Sequence, residues 1–333
     1  MKENKAAFIT ETGTADRIQF GDVPLPVLGP GQVLIRNHAV AVNPIDTYIR
    51  SGAVAFDLPK PFIVGCDSAG EIEAVGDSVQ QFNVGDRVWC TNQGLLGRQG
   101  TFAQRIAIDA DWCFPLPDTV DAKDAAALAL VAVTAHLGLF REARLVAGDT
   151  ILVIGGTGGV GSTVVQMAKA AGARVIATGS SDEKCDRIMQ LGADAAINYH
   201  TTSIAEATKQ FAPAGANVFW ETRREPDFDL AVDVMSQRGR MVLMAGRDAR
   251  PPFPVGPFYV KECSLHGFAM FKASPDEMAA IAADINRWMA SGQLKANIAA
   301  TLPLSEAAKA HQMQEAATIG GNGSLSGKIV LTP

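Results

Sequence analysis

The stretch Ile151–Lys184, ILVIGGTGGVGSTVVQMAKAAGARVIATGSSDEK, carries residues whose types and spacing do chemistry. Gly156, Gly158 and Gly161 match G-x-G-x-x-G, with Gly159 and Val160 completing the loop. The pattern follows an apolar strand and opens a helix, the context in which it holds a dinucleotide pyrophosphate. Gly156 is expected to allow the tight turn, Gly158 the close approach of the pyrophosphate, and Gly161 the close packing of helix on strand. The helix N-terminus adds unpaired N–H groups and a positive dipole end. The bland alternative is a tight turn that binds nothing.

At the end of the second strand an acid would bind the ribose 2′-OH of NAD. The register puts Gly179 there, followed by Ser180 and Ser181. Both serines offer hydroxyl donors, and Lys184 brings a point charge that reaches a phosphate. Asp182 reads as a helix N-terminal acid that complements the dipole. The loop suits a 2′-phosphate, so NADP(H) is the expected cofactor.

The surrounding chain supplies elements to position this loop. From Thr150 to Ala245, strand and helix signals alternate: strands at 150–154, 174–178, 195–197, 217–220 and 240–245, helices at 160–171, 182–191, 204–211 and 227–235. Such a series demands a doubly wound parallel sheet covered on both faces. Residues 1–120 read instead as strands and Pro/Gly turns, a barrel-like antiparallel domain. The helix 275–290 and the strand 328–332 do not extend the series and are expected to fold back on the first domain. The fold class is α/β, with a catalytic domain of 1–122 and 269–333 and a dinucleotide domain of 123–268.

Length and charge narrow the options. The 333 residues allow two domains, and a net charge of −6 argues against general affinity for nucleic acid or anionic membrane. The apolar run Ala125–Ala135 is short for a membrane span, and MKENKAAFIT lacks an apolar signal core. A cytoplasmic location is expected. The five cysteines form no CxxC pair, so buried reduced thiols are expected. None of the five histidines stands in a catalytic constellation.

These motifs resemble the medium-chain dehydrogenase/reductase superfamily, most closely its zinc-independent quinone oxidoreductase (zeta-crystallin-like) branch. The carriers are VNPIDTYIRSG (42–52), PFIVGCDSAGEIEAVG (61–76), VGDRV (84–88), GTFAQ (100–104), Thr134-Ala135, the glycine loop, LGADAAINY (191–199) and GKIVL (327–331). The resemblance implies a GroES-like β-barrel catalytic domain, a Rossmann domain, a cofactor in the cleft between them, and a homodimer or homotetramer. It implies catalytic roles for Asn43, toward the substrate oxygen or nicotinamide ribose, and for Tyr48, toward the substrate or a proton relay. It implies cofactor contacts at Thr134, Tyr199, Phe268 and Asn322; Gly246 is expected at the ligand because it ends a parallel strand, where ligands collect in such sheets. Asp46 and Arg50 are expected to form an internal ion pair. One departure stands out: where the family reads VFDxVGG, this chain reads Phe219-Trp220-Glu221-Thr222-Arg223-Arg224.

The resemblance also bears on zinc. Zinc alcohol dehydrogenases of this superfamily use Cys, His and a second Cys or an acid. Here the corresponding positions hold Asn43, Gly65-Cys66-Asp67, and Leu130-Val131. Catalytic zinc needs three protein ligands, so no metal is expected. Alcohol oxidation without a Lewis acid is difficult. Hydride reduction of a quinone is the expected reaction, with an enone or alkenal double bond as the alternative acceptor. From another class, a non-catalytic NADPH-binding sensor or crystallin-like protein remains open.

Overall fold

The computed structural model describes residues 4–320 and 325–333. In chain order the elements begin with β1 (Asn4–Ile9), β2 (Gln19–Val23), β3 (Gln32–Val42), α1 (Pro44–Ser51), β4 (Phe62–Ile63), β5 (Asp67–Val75), β6 (Arg87–Cys90), β7 (Arg105–Asp109), β8 (Cys113–Pro115) and α2 (Ala122–His136). There follow β9 (Thr150–Val153), α3 (Gly159–Ala170), β10 (Arg174–Gly179), α4 (Asp182–Gln190), β11 (Ala195–Asn198), α5 (Ile204–Phe211), β12 (Ala216–Glu221), α6 (Phe228–Val234), β13 (Met235–Leu243), α7 (Val255–Val260) and β14 (Ser264–Gly267). The chain ends with α8 (Pro275–Ala290), β15 (Ile298–Pro303), α9 (Ala307–Thr318) and β16 (Lys328–Thr332). Two compact units result, 1–130 with 273–333, and 131–272. Sequence patterning places the divisions at 122/123 and 268/269; the structure draws them at 130/131 and 272/273.

The first unit is the GroES-like fold. Its larger sheet runs β15-β16-β3-β5-β6-β8, with β7 also pairing β3, and a small sheet runs β2-β1-β4. Alternation along Gln32–Val42 buries Val33 and Ile35 against Ile72, Val88, Ile106 and Ile108, the period expected of a half-buried strand. The last strand, β16, pairs antiparallel with the end of β3, Ile329 opposite Val42. The helix α1 was not expected among the strands. It has proline at its first position and ends at Gly52, with φ +82°, a start and stop that backbone sterics favour.

The second unit is the Rossmann fold. Six strands run β11-β10-β9-β12-β13-β14, every pair parallel. The order reverses between β9 and β12, and in such sheets ligands collect outside the strand ends there. Leu152, Ile176, Ile197, Phe219 and Met241 form its core from successive strands. The edge strand β14 has no counterpart in the sequence reading. The helical stretch Ala122–Glu142 is long and apolar enough to cross a membrane, yet 72% of its most apolar window is buried in the protein, as a core helix would be.

Candidate active site

The glycine loop is built as a cradle, with roles distributed differently from the sequence reading. Gly155, not Gly156, takes the left-handed turn, at φ +79°. A Cβ on Gly156 would lie 2.8 Å from Ala177 Cβ and 3.0 Å from Ile188, so this glycine serves packing against β10 and α4. A Cβ on Gly161 would come within 2.0 Å of the Gly155 carbonyl oxygen. Gly158 differs: its Cβ would meet only the Gly155 oxygen, at 3.6 Å. The chain therefore leaves room beside Gly158 that no side chain fills, at the start of α3. A dinucleotide pyrophosphate fits that room, with Gly159, Val160 and Gly161 forming the first turn of the helix.

The rim beyond β10 explains the missing acid. A Cβ on Gly179 would stand 3.1 Å from Lys184 Cβ and 3.3 Å from the Cys185 sulfur, so the position has little room for a carboxylate side chain. Lys184 Nζ donates to Ser180 Oγ at 3.0 Å. Ser181 caps α4, its hydroxyl accepting Lys184 N–H. Asp182 accepts from Asn198 Nδ2 at 2.7 Å and thus ties α4 to β11. Tyr199 follows β11, bonded through its amide to the Gly179 carbonyl and 45% exposed. Gly246 lies beyond β13, with φ +80°, and a Cβ there would stand 2.5 Å from the Arg224 carbonyl oxygen. Phe268 is half-buried and packs edge-on to Trp220 at 6.5 Å. Thr134 is buried on α2. Asn322 lies outside the described residues.

The departure after β12 is ordered by specific bonds. Glu221 is buried and accepts from Arg223 N–H, Nε and Nη2 at 2.7–3.1 Å. Thr222 donates through Oγ1 to the Ile154 carbonyl at 2.7 Å. Neither contact was read from the sequence, although an acid ending a mostly apolar strand, with two arginines close after it, was the available signal.

In the first unit, Tyr48 is half-buried on α1, and its hydroxyl has no hydrogen-bond partner among the described residues. Asn43 is wholly buried. Its Nδ2 donates to Asp67 Oδ2 at 2.7 Å, and its Oδ1 accepts from Lys328 Nζ. Through these bonds Asn43 ties the start of α1 to Asp67 and Lys328. The expected Asp46–Arg50 pair does not form. Asp46 accepts Asn43 N–H at 2.8 Å, whereas Arg50 pairs with Glu315 on α9. The two side chains leave α1 in different directions because Asp46 is needed at the helix start.

Asp67 accepts from Thr91 Oγ1 at 2.7 Å and lies 3.8 Å from Lys328 Nζ. Burial pushes Asp67 up and Lys328 down, and each opposes the other's shift. Burial raises Asp46 to about 7, opposed by the Cys66 thiol. Burial also drives the Cys66 thiol well up, helped by the charges of Asp46 and Asp67. One thiol, one amide and a carboxylate already paired with Lys328 make a poor donor set for zinc, whose catalytic sites take three protein ligands from thiolates, imidazoles and carboxylates. Among the described residues, no three metal-ligating side chains converge. Lys328, the first residue of the mostly apolar strand β16, was missed as a partner of this cluster.

Comparison with known proteins agrees with the geometry. Residues 29–118 match the alcohol dehydrogenase GroES-like domain, and residues 159–287 match the family described as zinc-binding dehydrogenase. Mouse quinone oxidoreductase is 35% identical, covering 93% of this chain and 92% of its own length. A 2-haloacrylate reductase from Burkholderia is 31% identical over 98% of each chain. A mycobacterial protein solved in complex with NADPH superposes with a TM-score of 0.85 at 30% identity, covering 99% of this chain and 100% of that one. The chain belongs to the quinone oxidoreductase branch of the medium-chain dehydrogenase/reductase superfamily and is an oxidoreductase.

Proposed function

We propose that the protein is an NADPH-dependent, zinc-independent quinone reductase. The observation that carries this reading is the rim of the cradle, where Gly179 excludes an acid and Lys184 holds Ser180 beside the strand end. NADPH supplies a hydride when bound. The glycine loop receives its pyrophosphate, and Ser180, Lys184 and Tyr199 take the 2′-phosphate side. Thr134, Gly246, Phe268 and Asn322 are assigned to the remaining cofactor contacts. Tyr48 offers its unpartnered hydroxyl to the acceptor oxygen that gathers negative charge. Asn43 acts as a positioning residue, holding the start of α1 through Asp67 and Lys328. The poor zinc donor set supports a metal-free reaction in which binding and orientation supply most of the catalysis.

The similarity to a 2-haloacrylate reductase favours one second reading, reduction of an activated carbon–carbon double bond by the same hydride chemistry. The open edge of β14 and the exposed Tyr259, Val260 and Leu265 near it support a homodimer through this sheet, or a homotetramer. We place the protein in the cytoplasm, acting on a small molecule, without nucleic-acid or membrane partners.

The test is oxidation of NADPH by the purified protein against quinones, enals and simple aldehydes, with and without chelator, repeated with NADH. Chelator-insensitive turnover of a quinone, faster with NADPH, is the expected result. Turnover with NADH alone overturns the cofactor assignment, and loss of activity with chelator overturns the metal-free mechanism. Turnover of enals but not quinones selects the second reading.

A further inference from the structure

The reversal of strand order between β9 and β12 makes two loops face the ligand crevice. One is the glycine loop. The other is the segment after β12, which begins Thr222-Arg223-Arg224. Thr222 is pinned to the glycine loop: its Oγ1 bonds the Ile154 carbonyl at 2.7 Å and stands 2.5 Å from where a Gly155 Cβ would be. Arg223 therefore leaves the backbone within a residue of the cradle.

Its guanidinium is fixed before any ligand arrives. Glu221, 1% exposed, takes three N–H groups of Arg223, one from the backbone and two kinds from the side chain. Nη1 has no partner among the described residues, and the side chain is 36% exposed. A buried carboxylate spent on one neighbouring arginine is a poor route to stability, because an apolar pair of the same volume costs less desolvation. It does hold a planar fork of donors at a chosen angle, which suits a phosphate better than a lysine's point charge would.

We propose that Arg223, oriented by Glu221, is a phosphate ligand of the bound dinucleotide, a cationic clamp on the β12 side of the cradle. Two phosphates of the ligand share this chemistry, the pyrophosphate and the 2′-phosphate. The inference rests on the dinucleotide-binding part of the proposed function and is independent of the acceptor.

The test is binding without turnover. The purified protein is titrated with NADPH and with NADH, following tryptophan fluorescence, with no acceptor present. Arg223→Met is expected to raise the NADPH dissociation constant about 10- to 100-fold, the scale of a lost charge-assisted contact. Glu221→Gln, which loosens the fork but keeps the charge, is expected to raise it by a smaller factor, and Arg223→Lys to restore part of the loss. Equal weakening of NADPH and NADH assigns the pyrophosphate; weakening of NADPH alone assigns the 2′-phosphate. Either supports the clamp. If Arg223→Met fails to fold because Glu221 is left unpaired, the Glu221→Gln/Arg223→Met double variant, with no buried charge, carries the same expectation. Unchanged affinity for both dinucleotides in a folded variant overturns the proposal. Failure of the unmodified protein to bind either dinucleotide overturns the cofactor reading itself.

Discussion

At the residue scale, the chain concentrates its buried polar chemistry around Asn43, Asp46, Asp67 and Lys328. Asp46 has a raised pKa, to about 7, with burial as the main cause. The folded state therefore holds the Asp46 proton more tightly than the unfolded chain does. That contribution is complete below the unfolded value near ~4 and is lost as pH rises through about 7. Asp46→Asn keeps an acceptor for the Asn43 amide and removes the titration. Urea denaturation across pH 4–8 should show a stability decline in the unmodified protein that is shallower in the variant; equal slopes would remove Asp46 as the cause. Lys184 belongs to the same scale. Lys184→Met should weaken NADPH binding roughly tenfold and leave NADH binding within about twofold. Equal effects on the two, measured by fluorescence titration, would separate Lys184 from the 2′-phosphate.

At the element scale, two glycines of one loop have opposite structural reasons. Gly161 touches the Gly155 carbonyl so closely that an added methyl at 2.0 Å must displace backbone. Gly161→Ala should cost roughly 3 kcal/mol of stability and lower the melting temperature even without cofactor. Gly158 has open space. Gly158→Ala should melt within a few degrees of the unmodified protein yet bind NADPH at least about tenfold more weakly, since the methyl enters the pyrophosphate's room. A Gly158→Ala variant with full affinity would place the pyrophosphate elsewhere. The periodicity of β9 to β13 made these elements legible, because each strand is a short apolar run beside an amphipathic helix. Helix α1 was not legible: it has eight residues, one turn of apolar pattern and no flanking repeat. Strand β14 is short and half-polar, and only pairing with β13 makes it a strand.

At the scale of the whole molecule, a buried histidine on the last helix contributes to the loss of stability in acid. His311, on α9 near the C-terminus, is fully buried against Phe102, and neither ring nitrogen has a hydrogen-bond partner among the described residues. Burial, with the charge of Arg50 adding to it, pushes its pKa down to about 3. The neutral ring is favoured in the folded state. This contribution is present above the unfolded value near ~6.5 and is lost as pH falls from there through about 3. His311→Leu, close in volume and unable to ionise, should flatten the loss of stability between pH 6.5 and 4 in thermal melts. An unchanged acid slope would assign acid unfolding to other groups.

The sequence by itself determined the two fold types, the glycine loop that opens α3 and the absence of an acid at Gly179. Each depends on residue types at fixed local spacing, and local spacing survives without knowledge of contacts. Tertiary structure alone decided which glycine turns the chain, because Gly155 and Gly156 differ only in what surrounds them. It alone paired Arg50 with Glu315 and Lys328 with Asn43, partners 265 and 285 positions apart. It alone showed that Asn43 is buried and bonded to both Asp67 and Lys328. Pairing β16 against β3 brings a lysine from the end of the chain beside an asparagine near its start, a proximity that local patterning does not encode.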